Sequence, residues 1–330
     1  MTLDIATLFQ RMNDLHVIVV GDVMLDNYWW GDVDRISPEG PVPIVALHKK
    51  ESRLGGAANV ALNCKALGAK VVLASIVGDD KEGAQLINLT KDAGINTDLL
   101  QTSTHRATTS KTRVISRNQQ MMRLDEEVTD ELFIEEEHPF IDAVLKYIQL
   151  NKPDVLIFED YNKGLVKENV IERITTHCNE TGTITAVDPK KKNFLSYKNV
   201  TIFKPNLKEV REGLHINLDK TDDETLRQVH QQLNAELHHE VTFITLSEKG
   251  VFYNDKDQAG IIPSHIRNIA DVSGAGDTVI ATASLIYALT KDVKFMAALS
   301  NLAGGLVCEQ VGVVPVNKAI LEKEAIQKLA

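Results

Sequence analysis

The chain opens its regular pattern with an unbroken apolar run, Leu15 to Val20, that stops at Gly21-Asp22. A run apolar on every residue is the mark of a strand buried on both faces. Helical spacing follows over Gly55–Leu67, a second strand pattern over Lys70–Val77 and a second helix over Asp80–Ala93. The alternation continues with a helix ending at Val144–Gln149, a strand at Val155–Phe158 and a helix at Val166–Cys178. Strands at Thr183–Val187 and Val200–Phe203 lead to helices at Leu207–Leu214 and Asp222–Leu237, and a strand at Val241–Leu246 precedes helices at Gly274–Leu289 and Lys294–Cys308. Strands separated by helices predict an α/β fold of three layers, with helices on both faces of a mainly parallel sheet.

Two segments depart from that rhythm. Tyr28–Leu47 places Pro38, Pro41 and Pro43 between short β-prone runs, and Thr97–Leu124 alternates polar and apolar without a helix. Both are expected to lie outside the main sheet, as a small β lid (about 27–48 and 97–124) over its carboxyl edge, where α/β folds bind ligands. The alternative is a surface hairpin without a role. The whole of 1–330 then reads as one domain carrying a lid, with no second catalytic domain after it.

Composition narrows the function classes. The 330 residues carry 46 acidic and 36 basic side chains, a formal charge of −10. That balance gives no general attraction to nucleic acid or to an anionic membrane, so any anionic ligand must be held by a local site. Cys64, Cys178 and Cys308 are widely spaced and suit buried thiols in a reducing cytoplasm. Met1–Asp14 lacks the apolar centre of a signal peptide, and the longest apolar stretch, Val279–Leu289, is too short to span a bilayer. A cytoplasmic location is expected.

Familiar nucleotide and metal signatures are missing. No glycine is followed by lysine, so there is no Walker A loop; the one Gly-x-Gly, Gly274-Ala275-Gly276, has Val279 where a dinucleotide fingerprint needs glycine. What remains is Asp271-Val272-Ser273-Gly274-Ala275-Gly276-Asp277-Thr278, running straight into an apolar helix. Small residues at a helix start leave N–H groups uncovered for an anion, and Asp277 in the first turn is placed to accept a proton from an attacking hydroxyl. Plain capping, with Ser273 as N-cap and Asp277 complementing the helix dipole, accounts for the same residues.

At this motif the chain resembles the ribokinase-like, or PfkB, carbohydrate kinases, whose C-terminal signature is close to Asp-Thr-x-Gly-Ala-Gly-Asp. The N-terminal signature is matched by Gly55-Gly56-Ala57-Ala58-Asn59-Val60-Ala61, with Gly78-Asp79-Asp80 beyond it. The resemblance implies a ribokinase-like fold, ATP and Mg²⁺ as cofactors, and Asp277 as general base beside an anion hole of Gly274, Ala275 and Gly276. It implies that Gly55, Gly56, Asn59 and Asp26 meet the sugar. Asn206-Leu207-Lys208-Glu209 would serve Mg²⁺ and the triphosphate, with Asn206 and Glu209 reaching the metal through water; a capping box is the alternative there. Ser247, Gly250 and Asn301 fall in the nucleotide pocket, and a monovalent cation, K⁺, is implied near Asp271.

One branch matches in more detail. Gly21–Trp29, Arg35-Ile36-Ser37-Pro38-Glu39, Arg117-Asn118-Gln119-Gln120, Arg123-Leu124-Asp125, Asp160-Tyr161-Asn162-Lys163-Gly164 and Val187-Asp188-Pro189-Lys190 look like bacterial D-glycero-D-manno-heptose 7-phosphate kinases. Gly40, Ser273 and Lys204 depart from the pattern. A substrate already phosphorylated needs cations beyond those that hold ATP. Lys111, Arg113, Arg117, Arg123 and Lys163, with Asp160, are expected on the sugar side, and Lys190 on the nucleotide side; for each cation a solvated strand face is the alternative. Kinases of other sugars or phosphosugars and a non-catalytic sugar-binding regulator remain as rivals. The lid would also pair two copies of the chain into a homodimer.

Overall fold

In the computed structural model, residues 4–117 and 119–329 are described. Asn118 and the first three residues of Met1–Asp14 lie outside them. The elements in chain order are α1 (Ile5–Arg11), β1 (His16–Gly21), β2 (Val23–Ile36), β3 (Pro43–Gly56), α2 (Ala57–Ala66), β4 (Lys70–Gly78), α3 (Lys81–Asp92) and β5 (Asn96–Ser103). Next come β6 (Ser110–Ser116), β7 (Gln119–Glu126), α4 (Ile134–Asn151), β8 (Val155–Glu159), α5 (Glu168–Thr181), β9 (Ile184–Asp188), β10 (Ile202–Phe203) and α6 (Leu207–Leu214). The rest is α7 (Asp223–Leu237), β11 (Val241–Thr245), β12 (Val251–Asn254), β13 (Ala259–Ile262), α8 (Ala275–Thr290), α9 (Val293–Val307) and α10 (Lys318–Leu329).

Nine strands form one sheet in the order β13-β12-β11-β10-β9-β8-β1-β4-β5, parallel except for the hairpin that β12 and β13 add at one edge. The apolar runs are continuous because both faces are covered. Val17 and Val19 face the core under α1, α2, α8, α9 and α10, while Ile18 and Val20 face the core under α4, α5 and α7. The α/β expectation holds. From β1 the chain builds outward to β4 and β5, then returns to β8 on β1's other side. Loops leaving the carboxyl ends of β1 and β8 therefore part in opposite directions and open a crevice between them.

The lid is a four-stranded sheet, β3-β2-β6-β7. It differs from the expected segments in two ways. Asn96–Ser103, expected in the lid, is β5 and pairs parallel with β4 in the large sheet; α3 is the crossover between them, and its position at the sheet's edge gives β5 the half-polar alternation of a lid strand. The first lid hairpin is also longer than Tyr28–Leu47. It leaves β1 almost at once and ends on Gly55-Gly56, which close β3 and do not begin the helix. The helices at the two ends of the chain and the β12–β13 hairpin add to what the sequence pattern foretold.

Candidate active site

The start of α8 lies over the carboxyl ends of β8 and β9. Its N-cap is Gly274, at φ 77°, with no side-chain cap bond, so the capping reading of Ser273 does not hold. Ser273 instead donates its N–H (3.0 Å) and its hydroxyl (2.9 Å) to Asp271 Oδ1, while Gly312 N–H donates to Oδ2 at 2.9 Å. Burial pushes the Asp271 carboxyl up, but these donors outweigh it and hold it below the usual range. A side-chain carbon at Gly274 would come within 2.8 Å of Asn59 Nδ2, so glycine is required by both backbone and packing. Ala275 N–H is turned back to Val272 O at 3.3 Å, which leaves the following amides to face an anion.

Asp277 stands in this first turn, buried, with each carboxylate oxygen engaged. Asn59 Nδ2 donates to Oδ2 at 2.6 Å and the Tyr161 hydroxyl donates to Oδ1 at 3.0 Å. Burial raises its pKa, as does the nearby Asp188; Asn59, Tyr161 and Lys190 pull it back. Asn59 has no exposed surface, and Asn63 Nδ2 lies 3.3 Å from its Oδ1. Asn59 thus meets the acid, because α2 packs directly on α8. Tyr161 is fixed from behind: Asp22 Oδ2 accepts the N–H of Tyr161 (2.9 Å) and of Lys163 (3.0 Å), and Lys111 Nζ and Lys190 Nζ lie 5.6 and 5.3 Å from its ring centre.

Beneath the α8 start runs a row of charges set by strand register. Glu159 ends β8 and Asp188 ends β9, and the two are register partners on one face. Lys204, just past β10 and almost fully buried, reaches Asp188 Oδ2 at 2.7 Å; Lys190 approaches Oδ1 at 3.4 Å and Glu209 Oε1 at 2.6 Å. Glu209 and Asn206 form the capping box of α6: Asn206 N–H donates to Glu209 Oε2 (2.8 Å) and Glu209 N–H to Asn206 Oδ1 (2.9 Å). Burial pushes Asp188 up, but Lys190 and Lys204 hold it below the ordinary carboxylate range. Glu159 forms an ion pair with neither lysine, and their charges lower its pKa less than its surroundings raise it. It is wholly buried, both its oxygens lack hydrogen-bond partners among the described residues, and burial beside Asp188 and Asp277 keeps its carboxyl protonated well above the usual range. Leu207 packs on the core edge and Lys208 is exposed beside Glu212, so neither joins this row.

On the lid side Asp26 is buried against Arg113, Oδ1 to Nη1 at 2.5 Å. A side-chain carbon at Gly55 would lie 2.1 Å from Asp26 Oδ2, and one at Gly56 2.4 Å from Asp22 O. The glycine pair therefore makes room for these two aspartates. Lys111 and Arg113 share the inner face of β6, as the alternation required. Lys111 has no carboxylate within ion-pair distance among the described residues, and burial lowers its pKa. Lys163 pairs with Glu127 at 2.8 Å. Arg117 and Arg123 are not brought in: both are exposed on the rim, Arg117 3.6 Å from Asp34 and Arg123 2.8 Å from Asp125. Asp160 also turns away. It has no exposed surface, its Oδ2 accepts from Tyr197 OH (2.8 Å) and Asn193 Nδ2 (3.1 Å), and burial raises its pKa to about 6.

Gly250 and Asn301 converge on one short segment, and Ser247 opens the turn that Gly250 closes, its carbonyl accepting the Gly250 N–H at 3.1 Å. A side-chain carbon at Gly250 would lie 2.0 Å from Ile262 O, the Ser264 hydroxyl donates to Glu248 O, and Asn301 Nδ2 donates to Pro263 O at 2.8 Å. Sequence reasoning gave no role to Asp22, Glu159, Tyr161, Asp188 or Lys204. The available signal was positional: Asp22, Glu159, Asp188 and Lys204 each end or directly follow an apolar strand run.

Residues 14–319 match the family described as pfkB family carbohydrate kinase. The chain belongs to that family. As a pfkB protein it is a carbohydrate kinase, and its two signatures meet in the Asn59–Asp277 contact. A Methylobacillus flagellatus relative named Bifunctional protein HldE is 39% identical over 308 residues, 93% of this chain and 62% of the relative. A protein of the same name from Campylobacter curvus is 37% identical over 94% of this chain and 64% of its own length. The chain thus spans a little under two thirds of these relatives. Among solved structures, Escherichia coli phosphofructokinase-2 in complex with substrates and products aligns with a TM-score of 0.77 over 96% of this chain and 99% of that one, at 18% identity. Arabidopsis thaliana ribokinase complexed with ribose and ATP aligns at 0.72 over 94% and 99%, at 14% identity. These likenesses show the ribokinase-like fold of the pfkB kinase. Among the described residues, no helix is long and apolar enough to cross a membrane.

Proposed function

We propose that this pfkB kinase transfers the γ-phosphoryl group of ATP to the anomeric hydroxyl of D-glycero-β-D-manno-heptose 7-phosphate, giving the 1,7-bisphosphate for ADP-heptose and lipopolysaccharide core synthesis in the cytoplasm. The carrying observation is Asp277 in the uncapped first turn of α8, with Asn59 and Tyr161 fixing both oxygens. The C1 oxygen attacks the γ-phosphorus as its proton passes to Asp277, the bond from γ-phosphorus to the bridging oxygen breaks, and ADP leaves. Amides beyond Ala275 hold charge on the transferring group. Asp277's raised pKa suits a base that must hold a proton briefly.

Glu209 and Asp188 offer hard carboxylate oxygens, and the partnerless buried oxygens of Glu159 fit a site completed by a cation, whose arrival would displace the Glu159 proton. Mg²⁺ bound there would neutralise triphosphate charge; Asn206 and Glu209, already committed to each other and to Lys190, would reach it through water. Asp271 shapes the loop where K⁺ is expected. Ser247, Gly250 and Asn301 would border the nucleotide. Lys111, without an acidic partner, is the best placed cation for the 7-phosphate, with Lys163 nearby. The match of this chain to proteins named HldE and the branch motifs at Gly21–Trp29 and Asp160–Gly164 favour the heptose over other phosphosugars. We also propose a homodimer through the lid, whose outer surface exposes Ile36, Val42, Met122 and Leu124.

A panel of sugars and phosphosugars with Mg-ATP, monitored by ADP release, tests the reading. Heptose 7-phosphate should exceed fructose, tagatose and ribose phosphates, and Asp277→Asn should abolish turnover without unfolding. Equal rates across the panel sink the substrate, and full activity in Asp277→Asn sinks the mechanism.

A further inference from the structure

We infer that Arg267 is a positioning residue for the nucleotide: gripped by Glu324 and Glu309, it fixes the middle of the segment 263–271 and so sets the affinity for ATP. The inference rests on the reading above that places the nucleotide beside Gly250 and Asn301 and its phosphates at the α8 start. Residues 263–271 connect those two places and form neither helix nor strand. Both ends are tied to α9. Asn301 Nδ2 donates to Pro263 O at 2.8 Å, and Cys308 O accepts the N–H of Ala270 (2.8 Å) and of Asp271 (3.2 Å). From Asn301 to Cys308 the helix rises about 10 Å, whereas the chain from Pro263 to Ala270 can extend to about 23 Å. The segment has slack, and a contact between its ends must take it up.

Apolar packing does not supply it, for Ile266 is fully exposed and Ile269 is 58% exposed. Among the described residues, 265–269 make no backbone–backbone hydrogen bond either. The middle is held by one side chain. Arg267 is 5% exposed there; its Nη1 and Nη2 both donate to the Glu324 carboxylate, and Nη1 also lies 3.3 Å from Glu309 Oε1. A two-point contact between guanidinium and carboxylate fixes orientation as well as distance. Arg267 is foremost among the groups that hold the Glu324 carboxyl below its usual range. Glu324 stands on α10, whose Leu321 and Ala325 are buried in the core, so the anchor is rigid. Helix α9 makes way for the stem: a side-chain carbon at Gly305 would lie 2.8 Å from Arg267 Nε, and glycine, costly inside a helix, leaves that space open. Without the grip, ATP itself must order the slack, and that ordering is subtracted from its affinity. The α8 start is spared, because Ser273 and Gly312 hold Asp271 independently.

The test measures ADP binding by calorimetry, hydrogen exchange of the amides 264–270 and steady-state rates in the wild type, Arg267→Met and Glu324→Gln. Arg267→Met is expected to weaken ADP about tenfold, equal to about 1.4 kcal/mol. The KM for ATP should rise to match while kcat and the sugar KM stay within about twofold, the mark of lost uniform binding. The amides 264–270 should exchange faster in that variant and regain protection at saturating ADP. Glu324→Gln loosens the same grip from α10 and should shift ADP affinity in the same direction; if Arg267→Met does not fold, this variant decides. A lower Tm with wild-type ADP affinity and ATP KM would make Arg267 a purely structural residue and overturn the inference. So would a fall in kcat with the KM for ATP unchanged. If ADP binds the wild type without protecting 264–270, the nucleotide lies elsewhere, and the reading beneath the inference falls instead.

Discussion

Asn59 and Asp277, 218 positions apart, meet through a 2.6 Å hydrogen bond that joins the start of α2 to the start of α8. The bond fixes Asp277 Oδ2 and leaves the carboxylate one face from which to take a proton. It also opposes burial, which raises the Asp277 pKa. Asn59→Leu removes the donor, so the pKa of Asp277 should rise further and the acid limb of the kcat/KM profile should move to higher pH. A hydrogen bond to a charged group contributes about 1.5–3 kcal/mol, so a ten- to hundredfold loss of kcat/KM at neutral pH is expected. An unshifted profile would contradict the orienting role.

Glu159 gives the fold a pH signature of its own. Its carboxyl is raised in the folded state and ordinary in the unfolded chain, so the folded form binds the proton more tightly. Stability from this group is therefore fully present below the ordinary glutamate range and is lost as pH rises through the folded value. Glu159→Gln keeps the neutral shape and cannot ionise. Its Tm should exceed the wild type at pH 8, with the gap closing by pH 5; a gap that widens toward acid would reverse the assignment.

Asp160 separates structural from substrate-binding roles. Its partners Tyr197, Asn193 and the Asn162 N–H all belong to the protein, and its pKa of about 6 is a consequence of burial. Asp160→Ala strands these donors and should cost about 1–3 kcal/mol of stability by denaturant titration, leaving the sugar KM within twofold of wild type. A tenfold rise in KM with unchanged stability would return Asp160 to the sugar side.

The exposed lid carries the assembly prediction. Every residue of β7 is exposed, Met122 to 56% and Leu124 to 49%, and an unpaired apolar edge strand invites a second copy. The pair Met122→Lys and Leu124→Lys should shift sedimentation from dimer to monomer. A sedimentation profile identical to wild type would place the interface elsewhere.

Much of this was legible before the structure because buried parallel strands and glycine-rich helix starts announce themselves locally. The run Leu15–Val20 and the Asp271–Thr278 motif sit in the fold as their residues require. Asp277 was found by its place in a helix first turn. Asn59 was found, but only packing reveals that its amide faces another protein carboxylate. Glu159, Asp188 and Lys204 went unassigned because their chemistry arises from register between strands far apart in sequence. Arg117 and Arg123 looked equivalent to Arg113 by alternation. The turn at Arg117, at φ 47°, carries it off the inner face, and Asp125 takes Arg123 on the exposed strand.

Arg53 binds the lid to the loop that shapes the α8 start. Its Nη1 donates to Val311 O (3.1 Å) and Val313 O (3.2 Å), its guanidinium lies 4.8 Å from the Tyr28 ring centre, and the Tyr28 hydroxyl accepts Val313 N–H at 3.1 Å. Gly312, between those carbonyls, donates to Asp271 at 2.9 Å. Lid and anion pocket therefore share one loop, and loosening it should disturb both substrates together. Arg53→Met is expected to raise the KM for sugar and for ATP in parallel, severalfold each. Gly312→Ala should reproduce that kinetic pattern from the opposite side. Its side chain would fall 2.8 Å from Arg53 Nη1 and 2.9 Å from the Tyr28 oxygen, at a backbone φ of 76°. The left-handed conformation adds a stability loss of about 1–2 kcal/mol that Arg53→Met does not carry. A change in one KM without the other, in either variant, would show that the lid and the pocket move independently.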